Sequence, residues 1–216
     1  MLATPTSDRV ADAMCRLGAD GFIAYPTETV WGLGACADRP RAVERLMAWK
    51  GRAPDAPIAV LVADAEAGVE LGCRFDVHAR RLVEAYWPGP LMVVVPCSGQ
   101  FALGVARSDG ALGLRCSPHP LAHALAVATR AAGLGPLTST SLNRSGGAAA
   151  ATFDAAIEMT HDADPGDLAS PLTVGERELD AGGSQPSSVV DCTGVLPEVL
   201  RVGAIDREAL EERWSS

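Results

Sequence analysis

Tyr25-Pro26-Thr27-Glu28-Thr29-Val30-Trp31-Gly32-Leu33-Gly34 is the stretch around which the chain is organised. The apolar run Gly21 to Tyr25 reads as a buried strand, and Pro26, with no N–H to give to a ladder, ends its pairing. The Thr27 and Thr29 hydroxyls therefore emerge in a glycine-bearing loop at a strand's end, where open α/β sheets bind ligands. Gly32 and Gly34 make neither a GxGxxG nor a Walker A motif.

On the N-terminal side, Ser7 caps a predicted helix to about Gly18, with Val10, Met14 and Leu17 on one face. Beyond the loop, Pro40 to Lys50 reads as a helix with Val43, Leu46, Met47 and Lys50 on one stripe, stopped by Gly51. Pro57 to Val62, Leu91 to Val95, Ala111 to Arg115 and Pro136 to Ser141 are predicted strands. Asp64 caps a helix near Ala65 to Leu71, and further helices span Val77 to Trp87 and Pro118 to Ala132. Ala148 to Ala151 and Ala155 to His161 read as helical, and acidic, glycine-bearing Asp162 to Gly183 as a mobile surface loop. Ser187 to Asp191 and Glu198 to Arg201 flank a turn, and Asp206 caps a last helix to Trp214. Strands and helices mix without strict βαβ alternation. The expected fold is α/β, one domain over residues 1–216 (core about 7–205, terminal helix about 206–214) on a twisted mixed sheet with flanking helices.

The 216 residues suffice for one substantial core, and 48% of them are hydrophobic, as in compact globular proteins. No apolar run reaches the roughly 18 to 20 residues of a membrane span, and the first residues lack signal-peptide character, so a cytoplasmic protein is expected. The six cysteines form no CxxC pair and are expected to be buried free thiols. A net charge of −9 argues against broad affinity for nucleic acid.

Four clusters carry the polar chemistry: Thr27 with Thr29, Lys50 with Arg52, Thr138 to Gly146, and Ser187 with Ser188. Hydroxyls and backbone amides bind carboxylate or phosphate oxygens without adding charge, and Lys and Arg neutralise a polyphosphate. Each hydroxyl serves equally in a cap or turn. Lys50 is the lone lysine among 18 basic residues, which marks a site for a compact three-donor ammonium or a snorkelling end of its apolar stripe. Arg115, in an otherwise apolar strand, is either paired with a core-edge carboxylate or turned to a ligand. His119 and His123 stand at i, i+4 but lack the glutamate and third ligand of a zinc site. The chemistry expected is positioning and electrostatics rather than covalent catalysis.

In order along the chain, PTETVWGLG, KGR at Lys50 to Arg52, WPGPL at Trp87 to Leu91, Arg115 in GLRCSPHP, STSLNRSG at Ser139 to Gly146, SSVVD at Ser187 to Asp191 and VLRVG at Val199 to Gly203 resemble the YrdC/Sua5 family of threonylcarbamoyl-AMP synthases. Lys50-x-Arg52 and Ser141-x-Asn143 are similar to its KxR and SxN signature.

The resemblance implies a large concave cavity and an enzyme, a nucleotidyltransferase, joining L-threonine, bicarbonate and ATP into threonylcarbamoyl-AMP and pyrophosphate for N6-threonylcarbamoylation of adenosine 37 in tRNA. By position, Thr29 (or Thr27), Arg115, Ser139 and Ser187 face threonine. Lys50, Arg52, Ser141, Asn143 and Arg201 face ATP, with Lys50 and Arg52 catalytic. Mg²⁺ accompanies the ATP, with no protein metal ligand. Implied partners are downstream tRNA threonylcarbamoyltransferase proteins, with tRNA met only indirectly and no membrane.

Trp31, Ala53, Leu61, Leu142, Ala149 and Ser188 depart from the usual residues. Leu61 stands where longer members have a threonine-contacting histidine, and the chain resembles the short form. The alternatives are a paralogue of the same fold, either a carbamoyl-adenylate former or an inactive relative, and an RNA-binding or ribosome-assembly module.

Overall fold

The computed structural model describes residues 7–53, 56–161, 166–180, 183 and 185–215. In chain order the elements are α1 (Ser7–Gly18), β1 (Phe22–Tyr25), β2 (Gly32–Ala35), α2 (Pro40–Lys50), β3 (Ala59–Leu61), α3 (Ala65–Glu70), α4 (Val77–Tyr86), β4 (Leu91–Pro96), β5 (Ala111–Arg115), α5 (Pro120–Ala131), β6 (Leu137–Ser141), α6 (Phe153–Thr160), β7 (Leu172–Thr173), a 3-10 turn (Arg177–Leu179), β8 (Ser188–Asp191), β9 (Glu198–Arg201) and α7 (Arg207–Ser215). The strands join in one mixed sheet, ordered β7-β1-β2-β6-β3-β5-β4-β8-β9. Three pairs are parallel (β1 with β7, β3 with β5, β4 with β8) and the other five are antiparallel. This is the expected twisted mixed α/β domain.

Side-chain alternation divides the sheet into two faces. Leu91, Val93 and Val95 of β4, Leu112 and Leu114 of β5, Val60 of β3 and Val190 of β8 enter the main core beneath α2, α4 and α7. On the other face a smaller core of Leu17, Ile23, Leu61, Leu121 and Leu125 packs α1 and α5 against β1, β3 and β6. Away from those two helices, Ala59, Met92, Arg115, Ser139 and Val189 line an open cavity instead.

The helix stops behave as their chemistry requires. Gly51 closes α2 at φ 65°, a conformation that costs glycine no Cβ clash. Asp64, Asp76 and Asp206 accept from Ala67, Ala79 and Ala209 N–H at 2.7, 2.7 and 2.8 Å. The cap expected of Ser7 lies outside the described side chains.

Three expectations are corrected. Gly32 to Ala35 is strand β2, not loop: a Cβ on Gly34 would lie 2.6 Å from Thr138 O and 2.9 Å from the Tyr25 ring, so these glycines serve close strand packing. Ala148 to Ala151 is not helical, because Ala150 N donates to Leu142 O at 3.0 Å and Ala150 O accepts from Trp31 N at 2.8 Å, and those bonds outweigh alanine's propensity. Within Asp162 to Gly183, β7 pairs with β1 and Val174 N donates to Ala24 O at 2.7 Å. Residues 162–165, 181 and 182 of that stretch lie outside the described residues.

Candidate active site

A cavity of about 560 Å³ opens on the uncovered face of the sheet, lined by Thr29, Arg52, Arg115, Ser139, Ser141, Asn143, Ser187 and Arg201 among others. Eight of the ten expected site residues are thus brought into one concavity from the β1–β2 loop, the end of α2, β5, β6 and its following loop, and both sides of the β8–β9 pair. A bulge between Val189 and Val190 sets Arg201 opposite Val189, so that both stand in the same wall. A second groove, of about 450 Å³, lies at the other end of β3 and gathers none of the expected residues. Leu61 lines that groove, so its departure from the longer members does not alter this cavity's wall.

Two expected residues stand behind the wall. Thr27 is fully buried; its Oγ1 donates to Val30 O at 2.6 Å, accepts from Thr29 N at 3.3 Å and shares a hydrogen with Thr29 Oγ1 at 3.1 Å. Between the two threonines the structure therefore assigns the cavity to Thr29, with Thr27 as its brace. Lys50 is 3% exposed, and its Nζ donates to Ser141 O at 2.5 Å, to Asn143 O at 3.2 Å and to Asn143 Oδ1. The lone lysine thus lies beneath the Ser141–Asn143 loop rather than in the wall where a phosphate contact was expected. A compact ammonium suits several convergent acceptors. Burial, then the charge of Arg52, pulls its pKa down to about 8.

The loop above Lys50 is itself knitted together. Ser141 Oγ donates to Asn143 Oδ1 at 2.7 Å, Asn143 Nδ2 donates to Gly147 O at 2.6 Å, and Ser145 N donates to Lys50 O at 2.7 Å. Leu142, one of the departures, is buried and bonded through its backbone to Trp31 O at 2.8 Å. Trp31 packs on Phe153 with ring centroids 5.9 Å apart and donates from Nε1 to Asp180. Arg52 reaches Pro57 O at 2.8 Å, and burial pulls its pKa down.

Other lining residues are short of partners. Arg115 Nη2 donates to Glu28 Oε1 at 2.6 Å and to Thr29 Oγ1 at 3.2 Å, so Arg115 is both ion-paired and turned to the cavity. Glu28, also held by the Ser117 hydroxyl, was not expected in the site; its place three residues after the strand, beside the two threonines, was the available signal. Arg115 Nε, Ser139 Oγ and Ser187 Oγ are buried with no hydrogen-bond partner. Arg201, at the exposed rim, holds Ser187 O through Nε and Nη2 at 3.0 and 2.8 Å. Ser188, grouped with Ser187 by sequence, points away: its Oγ donates to Ile205 O at 2.6 Å and accepts from Gly203 N and Ile205 N.

Of the histidine pair, His119 Nδ1 caps α5 by accepting from Leu121 N at 3.3 Å, while His123 is exposed. Among the described residues no group of three metal-ligating side chains gathers, and no helix is long and apolar enough to cross a membrane.

A family model described as "Telomere recombination", covering Sua5, YciO and YrdC proteins, matches residues 16–203. The chain belongs to the Sua5/YciO/YrdC family. Curated relatives in the Sua5/YciO/YrdC family include the threonylcarbamoyl-AMP synthase of Chromohalobacter salexigens, 35% identical over 82% of this chain and 96% of the relative. That of Bacillus subtilis (strain 168) is 34% identical over 94% of this chain and 56% of the relative. The solved structure of P. abyssi Sua5 complexed with L-threonine superposes with a TM-score of 0.79 at 27% identity, over 94% of this chain and 56% of that one. E. coli YciO shares the fold, with a TM-score of 0.78 at 21% identity and 95% and 94% coverage. The chain thus spans little more than half the length of its B. subtilis and P. abyssi relatives and nearly all of its C. salexigens one.

Proposed function

We propose that this chain is a threonylcarbamoyl-AMP synthase, a nucleotidyltransferase that joins L-threonine, bicarbonate and ATP to give threonylcarbamoyl-AMP, pyrophosphate and water. The observation that carries the reading is the unpartnered set of Arg115 Nε, Ser139 Oγ and Ser187 Oγ in one wall of the cavity. A buried polar atom without a partner costs about 1 to 3 kcal/mol, and a small polar acid with a hydroxyl is the kind of ligand that satisfies all three. The curated relatives' names and the L-threonine complex of P. abyssi Sua5 support the same choice.

In this reading Arg115 takes the threonine carboxylate, held in place by Glu28 and Thr29, while Ser139 and Ser187 meet the remaining polar groups. Threonine's amino nitrogen attacks the carbon of bicarbonate or its dehydrated form, giving a carbamate with loss of water. A carbamate oxygen then attacks the α-phosphorus of ATP, and pyrophosphate leaves. Arg52 and Arg201 face the growing negative charge, and fixed cations stabilise that transition state more than the ground state. Ser141 and Asn143 bind the nucleotide, and Lys50 acts as a positioning residue through them. Among the described residues no carboxylate lines the cavity, so Mg²⁺ fits here as part of the metal–ATP substrate, where it supplies charge neutralisation of the phosphates. The product passes in the cytoplasm to tRNA threonylcarbamoyltransferase proteins, and tRNA is met only through them.

The test is incubation of the purified chain with ATP, Mg²⁺, bicarbonate and L-threonine, with mass spectrometry of the nucleotide products. Threonylcarbamoyl-adenylate is the expected product. Threonine-independent pyrophosphate release that appears only when carbamoyl phosphate is added would instead indicate a carbamoyl-adenylate former.

A further inference from the structure

The turn after α3 and the end of β4 meet in an isolated antiparallel bridge between Cys73 and Cys97. Arg74 N donates to Pro96 O at 2.9 Å and Ser98 N donates to Gly72 O at 3.1 Å. These bonds flank the cysteines and make them a non-hydrogen-bonded pair, the register that brings opposing side chains closest. The thiols touch, Cys73 Sγ donating to Cys97 Sγ at 2.7 Å. The pair is asymmetric: Cys73 is 3% exposed and part of the main core, whereas Cys97 is only half-buried. Neither lines the cavity described above.

We propose that Cys73 and Cys97 are a peroxide-oxidisable dithiol site, in which Cys97 is the attacking sulfur and Cys73 the resolving one. The Cys97 thiolate attacks one peroxide oxygen; an S–O bond forms, the O–O bond breaks, and the leaving oxygen takes a proton to become water or an alcohol. The Cys73 sulfur then attacks the resulting sulfenic sulfur; an S–S bond forms, the S–O bond breaks, and water leaves with the thiol proton. Two thiols lose two electrons in total and one peroxide gains them.

A disulfide needs Cα atoms roughly 4.4 to 6.8 Å apart with Cβ vectors converging, and a non-hydrogen-bonded antiparallel pair, at about 4.5 Å, supplies that separation. The bond from Cys73 draws the Cys97 thiol down to about 7, against burial and with a further pull from the Gly99 backbone, while the same bond pushes Cys73 up. The more accessible sulfur is therefore also the one with the greater thiolate fraction at neutral pH. Burial pushes Cys36, Cys116 and Cys192 up to about 12, 11 and 12. Cys15, which is exposed, is the competitor that a test must remove.

The experiment uses the full chain carrying Cys15→Ser, reduced, desalted and exposed to hydrogen peroxide. Free thiols are expected to fall from five to three, a proteolytic peptide joining Cys73 to Cys97 to appear under non-reducing conditions, and dithiothreitol to reverse both. The cross-link should raise Tm by about 5 to 10 °C through loop closure. With Cys73→Ser added, oxidation should stop at a Cys97 sulfenic acid that dimedone captures; with Cys97→Ser, Cys73 should stay unlabelled. Retention of all five thiols at a peroxide dose that oxidises free cysteine, linkage to any other cysteine, or dimedone on Cys73 rather than Cys97 would overturn the assignment. The linked peptide is read on a chain that keeps both cysteines, so the outcome does not depend on those two variants folding.

Discussion

Lys50→Arg keeps a positive charge and removes a shape. The Lys50 ammonium sits beneath the Ser141–Asn143 loop with Ser141 O, Asn143 O and Asn143 Oδ1 converging on one nitrogen. A guanidinium is wider, planar and longer, and spreads its donors over three nitrogens, so it cannot present them to the same three acceptors from the end of α2. Hydrogen bonds from a charged donor contribute about 1.5 to 3 kcal/mol each. If about two of the three are lost, the loop gives up roughly 3 to 6 kcal/mol of its preorganisation, equivalent to about 10² to 10⁴ in kcat/KM. The fold should survive, because the Ser145 N to Lys50 O bond at 2.7 Å and the buried α2 stripe involve only backbone and apolar groups. The assay is steady-state pyrophosphate release at pH 7 with ATP and threonine varied in turn, alongside a thermal melt. A variant within about threefold of the parent, with an unchanged melt, would refute the reasoning and make Lys50 a snorkelling scaffold residue.

Three further outcomes are expected. Lys50, held at about 8 by burial and Arg52, should lose its proton above that pH. Between about pH 8 and its ordinary value of 10.5 the unfolded chain binds more protons than the folded one, so this group's contribution to stability rises with pH while kcat/KM falls; an alkaline limb unchanged in Lys50→Arg would contradict the assignment to this lysine. Ser187→Ala removes a buried hydroxyl that has no partner in the protein, so threonine KM should rise about tenfold, roughly 1.4 kcal/mol, with ATP KM and Tm unaltered; a lowered Tm with normal KM would make Ser187 structural. Ser188→Ala should do the reverse, since its Oγ serves Ile205 O, Gly203 N and Ile205 N in a fully buried site. The loss of about 2 to 3 kcal/mol should lower Tm by roughly 5 to 10 °C in differential scanning calorimetry, with threonine KM unchanged.

What the sequence by itself determined was local and periodic. The stripe Val43, Leu46, Met47 and Lys50, the caps at Asp64 and Asp206, the Gly51 stop and the apolar runs of β3, β4 and β5 are dictated by 3.6- and 2-residue periods and by turn chemistry, which act between near neighbours. The ordered motifs drew out the residues that the fold brings to one cavity for the same reason, since each is a short strand end or helix end with its polar groups in fixed sequence. Only the tertiary structure decided which side of the sheet each polar group faces. Adjacent Ser187 and Ser188 point to opposite faces because strand side chains alternate, and register across β4, β8 and β9, not composition, selects which of them meets the cavity. Gly32 and Gly34 read as a loop until β6 is placed against β2 at a separation that leaves no room for a Cβ on Gly34. Ala148 to Ala151 reads as helix until Leu142 and Trp31 claim its backbone. Lys50 looked like a residue that reaches the phosphates itself; folding sets the Ser141–Asn143 loop over it. Each of these reversals comes from a partner distant in sequence, whose backbone bonds and packing outweigh the few tenths of a kcal/mol per residue, roughly, that separate local propensities.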